Sequence, residues 1–442
     1  MRPFYVRELT RYPVGARRMR YLLMAVLASL ILNFEGQISP VVPLLLKDLH
    51  MTLTTYGAIG AVAVAVGAVS AAIGGRLADR WGRTILLVPI MFVTAILDYA
   101  TVLVHAPIHL LVVRSLLLFV EGAAVSTTAG LVRDFSPRMG RSTAFAFWTW
   151  GPVGANFLAA GIAAVTLPLF VSWRSQFIII GTVALVVSVV ITAFIADLAP
   201  QLRARVVHSE SDMDGVDATG DEEVHLGQAR QLLRQRRVLA HLVGITAWQV
   251  FYWTLQVFGP TITVQAFGYT ESQAATIAAA SWAINLVVLF AVGWFSDRLQ
   301  LRKPFILVGT IAGLAVMGVL VRLVGSGHAS MGTLIAVNAA LGSALAVAFA
   351  PWMAQFSEDV EDIRPELQGT GWGLFGLSVR VMIVAMLIVA PIVTRANGGS
   401  WQPWMLVALG FNALLIPALF LFGGAWRRGP RPAPVPREAV AA

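Results

Sequence analysis

Four charged residues lie inside long apolar runs, and their types divide by chemistry. Arg114 and Glu121 sit seven residues apart in "RSLLLFVE", Glu35 lies in "ILNFEGQISP", and Arg380 lies in "GLSVRVMIVAM". A carboxyl group in an apolar setting changes protonation state with its surroundings, so Glu35 and Glu121 suit the binding and release of a proton. A guanidinium keeps its charge and offers a planar fork of donors, so Arg114 and Arg380 suit the holding of an anion, above all a carboxylate. Seven residues are two helical turns, which puts Arg114 and Glu121 on one helix face about 10 Å apart. Arg114 admits a second reading, in which it snorkels to an interface or pairs only with Glu121. Asp98, nearer the outer end of its run, is read as a structural residue that water can reach.

Such positions make sense on helices that cross a membrane. The chain of 442 residues is 57% hydrophobic and 12% charged, against about a quarter charged in a soluble domain. Its mean hydropathy is +0.76. Twelve spans are expected, at 21–46, 54–75, 84–104, 107–131, 142–168, 174–197, 238–266, 272–295, 304–324, 329–355, 368–394 and 402–425. Each is long enough for a hydrocarbon layer of ~30 Å. No cleavable signal segment is read at the N-terminus, because its arginines lead straight into a full-length span. No cysteine occurs, which excludes disulfides and cysteine-bound metal.

The basic residues give the orientation. With the N-terminus inside, 26 of the 32 lysines and arginines fall on the inner side and only Lys47, Arg174, Arg322 and Arg395 fall outside. Both termini are therefore expected in the cytoplasm, in a cell inner or plasma membrane. The net charge of +9 belongs to this asymmetry, and no nucleic-acid partner is expected. The expected organisation is an arm (1–20), a six-helix half (21–197), a polar linker (198–237), a second half (238–425) and a Pro-rich tail (426–442).

The halves echo each other. "GGRLADRWGRTILL" (Gly74 to Leu87) is followed, 218 residues on, by "GWFSDRLQLRKPFIL" (Gly293 to Leu307), aligning Asp79-Arg80 with Asp297-Arg298. The segment "GRLADRWGR" resembles the signature of the major facilitator superfamily, and the layout of the whole chain is similar to that family's. The resemblance implies an all-α membrane protein of two pseudo-symmetric six-helix halves, with a substrate path between them. It also implies a conformational latch made by Gly75, Asp79, Arg80, Gly82 and Arg83. In the second copy Gln300 and Leu301 follow Leu299 with no counterpart of Gly82, so no working latch is expected there.

A narrower likeness follows. "RSLLLFVEGAA", "FSPRMGRSTAF", "SWRSQFIIIG" and "FGYTESQA" are similar to the anion:cation symporter branch. That likeness implies proton binding at Glu35 and Glu121 and substrate-anion binding at Arg114. The branch usually follows its first-helix acid with arginine, whereas this chain has Gly36; Arg380 would then supply charge from the other half.

Spacing adds binding candidates. Gln249, Trp253 and Gln256 form one stripe with Tyr252 beside it, and Trp282 and Asn285 stand three apart in the next span. Gly151-Pro152 is expected to break its helix locally, and the glycines of "GTGWGLFG" to allow close packing.

The sequence thus reads as a proton-coupled carrier of a small organic anion, working by alternating access and carrying out uptake. The expected partners are that anion, protons and the bilayer, with the chain acting as a monomer without cofactor or metal. The alternative within the family is a proton-driven drug exporter or an anion exchanger, because "WGPVGANFLAAG" partly matches an antiporter element. No H-E-x-x-H or G-x-G-D occurs, which argues against a membrane-embedded protease, and no nucleotide-binding loop is seen.

Overall fold

The computed structural model describes residues 5–33, 38–135, 141–199, 201–202, 226–364 and 367–427, less the side chains at 72, 74–76, 78–80, 125–126, 129–130, 132–134, 141–145, 226–228 and 368–369. Glu35 and Gly36 lie outside the described residues, as do the side chains of Gly75, Asp79 and Arg80.

The long apolar runs are helices. α1 (Gly15–Leu32) is followed by a 3₁₀ turn (Ser39–Val41) and α2 (Val42–Asp48). Next come α3 (Leu53–Trp81), α4 (Arg83–Thr101), α5 (Pro107–Phe135), α6 (Arg141–Phe170) and α7 (Trp173–Phe194). After the linker region come α8 (Leu226–Leu233), α9 (Arg236–Phe267), α10 (Glu271–Leu299), α11 (Lys303–Ser326), α12 (Met331–Glu361), α13 (Gln368–Ala396), α14 (Gln402–Ala413) and α15 (Leu415–Leu419). Among the described residues, eleven helices are long and apolar enough to cross a membrane. Two departures from expectation stand out. α8 occupies the end of the segment read as linker, because Leu232 is buried there. α6 runs unbroken through Gly151 and Pro152, and the amide of Asn156 donates to the Pro152 carbonyl at 3.1 Å.

Local chemistry sets the helix ends. α9 stops at Gly268, which takes φ +71°, and α10 opens at once on a reciprocal capping box of Thr270 and Gln273. Ser330 caps α12 by accepting from the Thr333 N–H, and Ser172 caps α7.

Glycines then bring helices to backbone contact, the usual means of helix association in lipid. A methyl group on Gly57 would strike the Leu387 carbonyl, joining α3 to α13. One on Gly122 would strike the Gly67 carbonyl, joining α5 to α3. The apolar core divides accordingly. One cluster unites α1, α4, α5, α6 and α7 through Ile31, Leu87, Met91, Leu131, Ala155 and Ile180. A larger one fills α9 to α15 and reaches across to Val41, Leu45, Tyr56 and Leu167. The crossing occurs at the end of the bundle opposite the start of α1, called the far end below. There Ser39 donates to the Val257 carbonyl at 3.1 Å and Ser272 to the Ala164 carbonyl at 2.8 Å. α6 and α10 also meet nearer the other end, where Trp150 Nε1 donates to the Leu286 carbonyl at 3.2 Å.

Candidate functional site

A cavity of about 460 Å³, its open mouth included, lies between the first and second sets of helices. Ser39, Tyr56, Gly60 and Val64 line it from one side with Arg114 and Leu118; α9 contributes Trp253, Gln256 and Val257, and α13 contributes Ile383 and Leu387. Arg114 is the one charged group among its described lining residues. The periodicity of α5 explains the placement. Arg114 and Leu118 are four apart and line the cavity, while Glu121 is 3% exposed, does not line it, and precedes the contact of Gly122 with Gly67. The two charges that share a helix face by sequence therefore differ in access: the cation lines the cavity and the acid is buried.

The stripe on α9 splits in a similar way. Trp253 and Gln256 line the Arg114 cavity, and Trp253 Nε1 donates to Gln249 Oε1 at 3.3 Å. Gln249 is itself 4% exposed. Tyr252, the preceding residue, faces a second cavity of about 690 Å³ within the second set of helices, again counting its mouth. Trp282 and Asn285 line this second cavity with Ser281 and Asn338. The Tyr252 ring stands nearly perpendicular to both tryptophans, with centroids 5.8 Å from Trp253 and 5.9 Å from Trp282. Here the polar groups already have partners. Asn285 Nδ2 donates to the Gly342 carbonyl at 2.7 Å, Ser281 Oγ to the Asn338 carbonyl at 2.9 Å and Asn338 Nδ2 to the Leu334 carbonyl at 2.9 Å.

Arg380 lines neither cavity. It is partly buried, three residues before Ile383, and its Nη1 reaches the Gly376 carbonyl at 3.4 Å. Asp98, read as water-accessible, is 1% exposed. Depth along the helix misleads here, because Asp98 lies on the buried stripe of α4 (Leu87, Met91, Ala95) and packs against Gly181 of α7.

At the near end, Gly82 takes φ +104° and turns α3 into α4. The carboxylate of Asp197 accepts from the backbone N–H groups of Arg83 (2.9 Å) and Thr84 (3.4 Å), capping α4. Asp197 is held in turn by a short parallel pairing of β2 (Asp197–Leu198) with β1 (Glu8–Leu9). Nothing in the sequence marked Asp197, whose partners lie more than a hundred residues away. The second copy has its own junction, at the start of α11. Gln300 supplies the positive φ (+54°) that Gly82 supplies in the first copy. Arg302 bridges Asp297 at 2.8 Å and Glu358 at 3.1 Å and donates to Ser296 Oγ at 2.8 Å. Beside it His241 Nε2, Gln355 and the Gly423 N–H all converge on Asp359, joining α9, α12 and the segment after α15.

At the far end Asp48 accepts from Trp173 Nε1 and Arg174 Nη1, each at 2.9 Å. The Trp173 hydrogen bond, aided by the Arg174 charge, holds the Asp48 carboxyl below the usual carboxylate range. Among the described residues no group of three or more His, Asp or Glu is placed to hold a metal ion.

The family profile described as Major Facilitator Superfamily matches residues 21–386 of this chain. The chain belongs to the major facilitator superfamily. Its all-α membrane fold is that family's. The chain is 25% identical over 296 residues to the 4-hydroxybenzoate transporter PcaK of Pseudomonas aeruginosa. That match covers 62% of this chain and 65% of PcaK, so the chain spans just under two thirds of that carrier's length. It is 24% identical over 317 residues to the gallate transporter of Pseudomonas putida, covering 67% of this chain and 70% of that one. A shorter stretch of 114 residues is 31% identical to the multidrug transporter DTR1 of Candida glabrata, covering 26% of this chain and 21% of the other.

Proposed function

We propose that this superfamily member carries small organic anions together with protons, by alternating access between two six-helix halves (21–197 and 238–425). The observation that carries the reading is Arg114, the charged group in the cavity between the helix sets. A fixed guanidinium in a mostly apolar cavity favours an anion over a lipophilic cation. Trp253 and Gln256 beside it suit a ring and a polar substituent, in keeping with the substrates named for the hydroxybenzoate and gallate carriers.

In this reading Glu121, and with it Glu35, takes up a proton as the anion meets Arg114. The paired uptake neutralises charge that would otherwise oppose movement of the halves through a low-dielectric barrier. Arg380 lies about a turn nearer the other end of the bundle and would meet the anion as the path opens there. Both termini would face the cytoplasm of a plasma membrane, and transport would run inward.

The test is flux into proteoliposomes for 4-hydroxybenzoate, gallate and aliphatic carboxylates, with and without an inward proton gradient. Gradient-stimulated uptake of a carboxylate is the expected result. Transport of organic cations with no carboxylate flux would sink the anion reading and favour the exporter suggested by the short match to the multidrug transporter. Coupling that survives in both Glu35→Gln and Glu121→Gln would remove the proposed proton sites.

A further inference from the structure

We infer that Gln256 selects the substrate, accepting a hydrogen bond from a hydroxyl group that the anion carries at the end opposite its carboxylate. α9 holds three glutamines, and indoles take the carbonyl oxygens of two. Gln249 Oε1 accepts from Trp253 Nε1 at 3.3 Å, and Gln265 Oε1 accepts from Trp401 Nε1 at 2.8 Å. Gln256 is the exception. Its Oε1 is buried and accepts no hydrogen bond from any described residue, on a side chain only 9% exposed. A buried acceptor left unpaired is costly, and leucine at that position would carry no such cost.

Gln256 lines the same cavity as Arg114. Neighbouring polar groups of that wall are engaged elsewhere. Ser39 Oγ donates to the Val257 carbonyl at 3.1 Å, the Trp253 indole N–H is given to Gln249, and the Tyr56 ring stands edge-on to Phe258. A fixed cation and a lone acceptor are thus available to one solute, at different depths. Arg114 lies seven residues in from the start of α5 and Gln256 eleven in from the end of α9, both counted from the far end of the bundle. At 1.5 Å per residue the acceptor is about 6 Å deeper. A solute that meets both is an anion at one end and a hydrogen-bond donor at the other, with an apolar body between for Leu118, Ile383 and Leu387. A second carboxylate does not fit, because Oε1 only accepts and Arg114 is the one charge among the described lining residues. The class that fits is a hydroxyaromatic monocarboxylate. When the solute displaces water, an analogue without the hydroxyl leaves Oε1 nothing to accept from, so the penalty falls on the analogue alone.

This selection rests on the anion reading, and one set of uptake measurements separates the two. In proteoliposomes, kcat/KM is measured for benzoate, 4-methoxybenzoate and 4-hydroxybenzoate, first with the unaltered full chain and then with Gln256→Met and Gln249→Met. The unaltered chain is expected to favour 4-hydroxybenzoate over both analogues at least about tenfold, as one buried hydrogen bond allows. Gln256→Met is expected to bring that preference within about twofold by weakening 4-hydroxybenzoate alone, whereas Gln249→Met lowers all three alike. Equal use of benzoate and 4-hydroxybenzoate by the unaltered chain overturns the inference and leaves the anion reading standing. So does 4-methoxybenzoate carried as well as 4-hydroxybenzoate, since a methoxy group has no proton to donate. That analogue series requires no variant to fold. A preference that survives in Gln256→Met, or a loss shared equally by all three substrates, also overturns the inference. Flux of an aliphatic carboxylate with none of the three aromatic ones overturns the inference alone, and absence of any carboxylate flux overturns both.

Discussion

The two cavities look alike in composition and differ in what their polar groups are already doing. Around Tyr252 and Trp282 the Asn285 amide and the Ser281 hydroxyl donate to carbonyls of α12, fastening α10 to α12, while the Asn338 amide donates within α12. Around Trp253 the cavity presents Arg114, a charge with no described hydrogen bond to protein. The difference separates polar residues that join helices from those that can meet a solute. In a membrane either kind is conspicuous against the apolar background, so residue type alone does not distinguish them.

Substitutions can sharpen or break this contrast. The largest effect is expected at Arg114, where Arg114→Gln should cut anion flux at least about 100-fold, as expected when the charged partner of a desolvated anion is removed. Proteoliposome uptake at saturating substrate checks it. Next, Trp253→Ala should raise KM about fivefold while Trp282→Ala leaves it within about twofold, a split that assigns ring contact to one cavity. Equal effects would mean that both cavities lie on the path. Asn285→Ala should lower Tm by about 2–4 °C and leave flux within about threefold, because it loses one interhelical hydrogen bond; a collapse of flux with unchanged Tm would reverse the assignment. The smallest effect belongs to Asp48, remote from both cavities. Its carboxyl titrates below the ordinary value when folded, so its contribution is present above the unfolded pKa of about 4 and fades as pH falls through the folded one. The Tm difference between the unaltered chain and Asp48→Asn should therefore shrink between pH 6 and about pH 3.

Hydropathy made most of the fold legible, since each long apolar run had only one way to satisfy its backbone in lipid. Arg114 was legible for the same reason that it is costly there. What sequence could not convey was which neighbour each residue meets. The bond from Asn285 to the Gly342 carbonyl was invisible because Gly342 is 57 residues away. Asp98 looked wet because burial there depends on Gly181, on a helix whose register no local pattern reveals. The second junction looked incomplete because glycine is the usual residue at positive φ, yet Gln300 adopts it with Arg302 tied to Asp297 and Glu358. Pro152 looked like a break, yet α6 runs on through it, since proline is tolerated inside helices that cross a membrane.

Tyr252 and Trp253 are consecutive on α9, yet each belongs to a different cavity. Consecutive residues on a helix diverge by about 100°, so one rod forms part of both walls. Any roll of α9 must act as a seesaw, carrying an aromatic ring toward one chamber as it carries another away. The chambers cannot change shape independently on that side, and the indole of Trp253 is a natural fluorescent gauge of the motion.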